Sequence, residues 1–315
     1  MSDVYRNAFP AEVWTGSGNV GRAGFLPETA VLEPSALIDL SPEEKRARYR
    51  AILERGIHGI SYSPYMDGQE PGMDIGADQI RQRMEIVRPT TRWIRSFSCC
   101  EGHEATPRIA HELGLKTMVG LSIGSDREKN EEELAAGIEI AKAGHADIMA
   151  VGNEILLRGD LNANEIIEYM DRLREAAPDQ CVAYVDAYFL YENHPQMAEA
   201  CDVVLINCYP FWERCPLEYS LPYMQEMVRR ARAVAGDKKV VISETGWPTS
   251  GSPYGGAIPG DDNALVYFIQ TYEWAEQEGL EVFWFSSFDE NWKTGDEGDV
   301  GSTWGLWHSD GSPKF

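Results

Sequence analysis

Two stretches of this chain end an apolar run on a glutamate. Val240-Val241-Ile242-Ser243-Glu244 is followed at once by Thr245-Gly246-Trp247-Pro248, and Ile148-Met149-Ala150-Val151 by Gly152-Asn153-Glu154. Short apolar runs closed by Gly or Pro read as parallel strands buried on both faces. Each run therefore delivers a carboxylate to the C-terminal end of a strand. One polar residue at the end of a core strand is ordinary; the same design used twice points to chemistry. Two carboxylates facing one cavity are what cleavage of a glycosidic bond needs. One protonates the leaving oxygen, and the other attacks the sugar or activates water. Trp247, beside Glu244, offers a flat apolar face on which a sugar ring can stack.

The elements that must position these residues alternate along the chain. Ser41, Pro42 and Glu44 have the spacing of a helix start: N-cap, first-turn proline and capping-box acid. Strands are expected at 59–63, 91–97, 116–121, 147–151, 181–187, 202–208, 239–243 and from 281. Helical spacing is expected at 78–88, 103–113, 127–143, 162–176, 195–200, 217–235 and 262–277. Eight strand–helix units predict an α/β fold, a closed (β/α)8 TIM barrel. A doubly wound open sheet fits less well. It would carry a Gly-rich loop after its first strand, where this chain has Tyr62-Ser63-Pro64-Tyr65. Residues 1–40, irregular and rich in Gly and Pro, are expected to form an N-terminal arm. Residues 41–315 are expected to form a single catalytic barrel.

Composition removes several function classes. The chain has 315 residues and a net charge of −23, which repels nucleic acid and anionic lipid but not a neutral polymer. No apolar run approaches membrane-spanning length. The start Met1-Ser2-Asp3-Val4-Tyr5-Arg6 lacks the layout of a signal peptide, so a cytoplasmic location is expected unless a leader has been removed. The six cysteines form no C-x-x-C pair and read as thiols of a reducing compartment; the six histidines show no metal-ligand spacing. Neither a metal nor an organic cofactor is expected.

In a barrel the functional face is built from the residues just beyond the C-terminal end of each strand. Those positions hold Tyr62, Tyr65, Arg95, Asn153, Glu154, Asp186, Asn207, Tyr209, Phe211, Trp212, Glu244, Trp247, Glu290, Trp292 and Lys293. Aromatic faces interspersed with carboxylates and amides suit sugars, although each aromatic could equally close the end of a strand. Arg95 is suited to be the counter-ion of a buried glutamate, and Asp186 to cap the loop after the fifth strand.

Four stretches carry a family resemblance: 151–154 (VGNE), 204–212 (VLINCYPFW), 242–248 (ISETGWP) and 288–293 (FDENWK). They resemble glycoside hydrolase family 17, the β-1,3-glucan enzymes of the retaining barrel clan. The similarity runs from about 59 to 315, and the start GISYSPY and the run AHELG resemble the bacterial branch. The resemblance implies Glu154 as general acid/base and Glu244 as nucleophile. It implies Asn153 as the amide contacting a sugar 2-hydroxyl, Tyr62 and Tyr209 as cleft aromatics, and Glu290 with Lys293 as a charged pair near the catalytic centre. Arg95, Phe211, Trp212 and Trp247 complete the expected substrate-binding set. The implied activity is retaining hydrolysis of a laminarin-type β-1,3-glucan or its oligosaccharides by double displacement, with β-glucan as the partner. The same residues would serve a β-glucan transglycosylase, in which a sugar hydroxyl intercepts the glycosyl-enzyme. A carbohydrate-binding barrel without catalysis would keep the aromatics but has no need of two glutamates.

Overall fold

The structure, a computed structural model, describes residues 35–315 except residue 296. Residues 1–34 of the expected N-terminal arm lie outside the described residues. The 3-10 turn Ala36–Asp39 buries Leu37 in the core, and Lys45 donates to the carbonyl of Ile38 at 3.0 Å. Eight parallel strands close into a barrel in sequence order: β1 Ile57–Ser61, β2 Thr91–Ser96, β3 Lys116–Leu121, β4 Ile148–Asn153, β5 Val182–Ala187, β6 Val204–Asn207, β7 Val240–Thr245 and β8 Val282–Trp284. The main helices are α1 Pro42–Arg55, α2 Ala77–Val87, α3 Thr106–Glu112, α4 Arg127–Lys142, α5 Ile155–Arg158, α6 Ala163–Ala176, α7 Tyr188–Asn193, α8 Pro195–Ala200, α9 Leu217–Ala235 and α10 Asp261–Glu278. The (β/α)8 expectation is met. The short helices α5 and α7 have no counterpart among the expected elements, whereas the equally short α8 matches the helix expected at 195–200.

Local chemistry explains the element starts. Ser41 accepts from the amide of Glu44, and the Glu44 carboxylate accepts from the amide of Ser41 at 2.9 Å. Asn162 and Glu165 make the same reciprocal pair at the start of α6. Met118, Ala150, Ala183, Val185, Leu205, Val241 and Phe283, drawn from six strands, form one apolar cluster that fills the barrel. Gly59 makes room for Phe283, since a Cβ at Gly59 would lie 2.4 Å from that ring. A larger cluster occupies the layer between strands and helices. Among the described residues, no helix is long and apolar enough to cross a membrane.

Register is regular around the barrel except at β4 and β7. Ala150 pairs with Ala183 but Asn153 with Val185, so β4 carries one more residue than β5 just before Glu154. Ile206 pairs with Ile242 but Asn207 with Glu244, and Ile242 pairs with Val282 but Thr245 with Trp284. β7 thus carries one extra residue relative to both neighbours, at the approach to Glu244. An extra residue bends a strand and re-aims the side chains beyond it. Among the described residues, the two strands that end on the paired glutamates are the ones that carry the irregularities.

Candidate active site

Glu154 follows β4 in the left-handed region, with φ of 55°. That conformation costs a non-glycine residue roughly 1–3 kcal/mol and persists only where its surroundings over-determine it. Hydrogen bonds on both sides do so here. The Glu154 amide donates to the carbonyl of Val185 at 2.8 Å. The next amides turn into α5: Leu156 donates to the Tyr184 hydroxyl at 2.9 Å and to the Asp186 carboxylate at 3.2 Å, and Leu157 to the same carboxylate at 3.4 Å. Tyr184 also donates to Asp186, which is fully buried. Burial pushes the Asp186 carboxyl up to about 6, against the opposing pull of these hydrogen bonds. Asp186 therefore holds the start of the helix after the fourth strand, as well as its own neighbour Ala187 at 2.8 Å.

Glu244, the penultimate residue of β7, is 1% exposed, and Glu154 is 0% exposed. Both oxygens of Glu244 are held by donors. Arg95, on β2 across the barrel, approaches Oε1 at 2.6 Å, and the Tyr209 hydroxyl donates to Oε2 at 2.7 Å. The same guanidinium donates to the Ser243 carbonyl at 2.8 Å and to Asn153 Oδ1 at 2.9 Å. The Asn207 amide donates to Asn153 Oδ1 at 3.2 Å and to Glu154 Oε1 at 2.9 Å, and accepts from the Ser243 hydroxyl at 2.8 Å. An unbroken hydrogen-bonded chain thus runs Glu154–Asn207–Asn153–Arg95–Glu244–Tyr209. It joins residues from the ends of β2, β4, β6 and β7 into one unit. Arg95 sets a guanidinium charge against Glu244, and Asn207 donates to Glu154.

Above this network lies a cavity of about 410 Å3. Glu244, Asn153, Tyr62, Glu290 and Lys293 line it, together with Tyr65, His103, Phe97, Phe285 and Trp292. Tyr62 is fixed by donating to the Ile80 carbonyl at 2.7 Å. Lys293 pairs with Glu290 at 2.8 Å and lies 4.2 Å over the Phe285 ring. Burial works against the Lys293 charge, but Glu290, Glu297 and Glu244 outweigh it and raise its pKa above the ordinary lysine value.

Three residues expected to contact sugar are packed against protein in the structure. Trp247 is core: its ring lies 5.1 Å from Tyr267 of α10 and 5.2 Å from Phe211, and its Nε1 donates to the Ile258 carbonyl at 2.9 Å. Gly246 sets this course, because its Cα lies so near the Phe285 carbonyl that a Cβ would stand 2.2 Å from it. Phe211 and Trp212 are likewise buried and close on Trp304 at 5.5 and 5.4 Å. None of the three lines the cavity, and of the other expected site residues Glu154, Arg95 and Tyr209 do not line it either; these three are tied to the site by their hydrogen bonds. Sequence reasoning places Asn207 at a strand end without assigning it a role; its apolar run closing on an amide is the available signal. It gives no role to Trp304 in the C-terminal stretch, nor to the pairing of Tyr65 with His103. Among the described residues, no group of three His, Cys, Asp or Glu side chains is placed to hold a metal ion.

A closed (β/α)8 barrel with two buried glutamates linked through amides and an arginine at the C-terminal mouth defines a hydrolase of glycosidic bonds. A family model of the BtgE/BtgC glycoside hydrolase domain matches residues 59–305. The chain belongs to this glycoside hydrolase family, within family 17. It is 28% identical over 246 residues to a glucan 1,3-beta-glucosidase of Arthroderma benhamiae, spanning 72% of this chain and 79% of the relative. It is 25% identical over 265 residues to the probable family 17 glucosidase SCW10 of Saccharomyces cerevisiae, spanning 81% of this chain and 66% of the relative. Its fold is shared by an active-site mutant of a Rhizomucor miehei beta-1,3-glucanosyltransferase in complex with laminaritriose, with a TM-score of 0.74 and 23% identity over 83% of this chain and 96% of the other.

Proposed function

We propose that this enzyme acts on β-1,3-glucan or its oligosaccharides by a retaining double displacement. The observation that carries this reading is the hydrogen-bonded chain from Glu154 to Glu244. Glu244, with Arg95 and Tyr209 on its two oxygens, attacks the anomeric carbon. Glu154, held through Asn207, protonates the departing glycosidic oxygen and then takes a proton from the incoming nucleophile. Asn153, bonded to both Arg95 and Asn207, is placed to meet the hydroxyl next to the reacting carbon. The choice of β-1,3-linked glucose follows the relatives, two of which carry that linkage in their names. The six free thiols suit a reducing compartment.

A second reading, β-glucan transglycosylation, is favoured by one observation. A solved structure that shares the fold is a beta-1,3-glucanosyltransferase, and in such an enzyme a bound acceptor sugar takes the place of water at the glycosyl-enzyme. The test is a time course of the wild type and Glu244→Ala on laminari-oligosaccharides, with products resolved by size. Shorter products that vanish in the variant support the hydrolase; products longer than the substrate shift the reading to transfer. No turnover by folded wild type overturns both.

A further inference from the structure

Each hydrogen bond between Glu154 and Glu244 has a direction, and Arg95 sets it. A guanidinium can only donate. Arg95 meets Asn153 Oδ1 at 2.9 Å, so Asn153 must present its carbonyl oxygen there. The same oxygen receives Asn207 Nδ2 at 3.2 Å. The Asn207 amide is thereby oriented: its Nδ2 serves Asn153 and, at 2.9 Å, Glu154 Oε1. Its carbonyl oxygen faces the other way and needs a donor, which Ser243 Oγ supplies at 2.8 Å. Ser243 and Asn207 are 0% and 1% exposed, so the pair is closed off from solvent.

Ser243 reaches Asn207 because of the irregularity in β7. Adjacent residues of a regular strand point to opposite faces. Ile206 pairs with Ile242 and Asn207 with Glu244, which leaves Ser243 without a counterpart on β6. A bulged residue escapes the alternation. Ser243 and Glu244, neighbours in the chain, therefore join one network, the first through Asn207 and the second through Arg95. The Ser243 carbonyl also accepts from Arg95 at 2.8 Å, a bond that belongs to the backbone and not to the serine side chain.

This direction has a consequence at Glu154. A protonated carboxyl has one oxygen that donates and one that only accepts. Oε1 faces an amide N–H, so a proton on Oε1 would set donor against donor. Were the Asn207 amide turned over, its carbonyl oxygen would face Oε1 and hold the proton there, in a bond within the protein.

We propose that Ser243 is a positioning residue for the general acid: by donating to Asn207 Oδ1 it locks the amide, so that Asn207 keeps Glu154 Oε1 an acceptor and the transferable proton sits on Oε2. This rests on the reading of Glu154 as acid. In the step itself, Glu244 forms its bond to the anomeric carbon as the glycosidic C–O bond breaks. The Oε2 proton goes to the departing oxygen, and Glu154 is left a carboxylate with Asn207 still donating to Oε1.

A comparison of leaving groups tests it. Laminaritriose needs a proton on its departing oxygen; a dinitrophenyl β-laminaribioside, whose phenolate leaves unaided, does not. Ser243→Ala is expected to lower kcat/KM at least ~10-fold on laminaritriose and less than ~3-fold on the aryl glycoside. Ser243→Thr, which keeps the hydroxyl, should recover most of the loss. Asn207→Asp keeps an acceptor for Ser243 but offers Glu154 no donor; it should show the same split, and it serves if Ser243→Ala fails to fold. A merely structural role would lower both substrates alike, because loosening at Glu244 slows attack on either. Equal losses, or no loss on laminaritriose, overturn the proposal alone. A folded wild type inactive on both substrates overturns the hydrolase and the proposal with it. Neutron diffraction of the deuterated wild type gives a reading without turnover. Asn207 deuterons directed at Glu154 Oε1, with the Ser243 deuteron directed at Asn207, are expected; an Asn207 carbonyl oxygen facing Glu154, or a deuteron on Oε1, overturns the proposal.

Discussion

Both sides of the barrel mouth are aromatic, and they do different things. On the β8–β1–β2 side, Tyr62, Tyr65, Phe97, Phe285 and Trp292 line the cavity. On the β6–β7 side, Phe211, Trp212 and Trp247 close on one another, on Tyr267 of α10 and on Trp304 from the C-terminal stretch. Both sets follow strand ends. The difference is whether another element arrives with apolar surface to cover the rings. An aromatic after a barrel strand marks the mouth, and its neighbours decide whether it becomes wall or core.

Substitutions should separate the two sides. The largest effect is expected at the shared boundary: Glu244→Gln should lower kcat by at least ~10⁴-fold while leaving the thermal transition within a few degrees, checked by kinetics and calorimetry on one preparation. Next comes the packed side. Trp247→Ala should cost about 3–5 kcal/mol of stability through the void it leaves, read from denaturant unfolding, with the KM of the folded protein unchanged. A shifted KM at intact stability would instead make Trp247 a sugar contact. Tyr209→Phe removes one donor from Glu244 Oε2 and should lower kcat/KM by about 10- to 100-fold, the equivalent of one charged hydrogen bond.

The smallest effect concerns Asp186, whose folded-state value of about 6 stands above its ordinary 3.8. Between about pH 4 and 6 the folded protein holds a proton that the unfolded chain has released. This group's contribution therefore falls as pH rises through that window and is constant above it. Asp186→Asn should remove that slope from the pH dependence of stability. It should also lower kcat modestly, because the amide cannot accept from Leu156, Leu157, Tyr184 and Ala187 all at once. An unchanged slope would show that Asp186 does not titrate there.

The barrel and its paired glutamates are legible because apolar run, Gly and carboxylate are all local in the chain. The link between Arg95 and Glu244 is legible as chemistry, since a buried glutamate needs a counter-ion, and the two meet at 2.6 Å. The extra residues in β4 and β7 are not, because a bulge leaves the apolar pattern intact and shows only against a neighbour's register. Trp247 misleads for a related reason: the ring that covers it, Tyr267, lies on the next helix. The pairing of Tyr65 with His103 crosses 38 positions, a contact that no local spacing encodes.

The central claim is that Glu244 forms the covalent intermediate, and trapping that intermediate tests it most directly. A 2-deoxy-2-fluoro-β-laminaribiosyl fluoride combines a good leaving group with a fluorine that slows release, so the glycosyl-enzyme should accumulate. Mass spectrometry of the peptic digest is expected to place one 2-fluorolaminaribiosyl group on Glu244, with label lost in Glu244→Gln. A label on Glu154 or another side chain, or turnover of unfluorinated substrate to the inverted anomer with no label at all, would contradict the account.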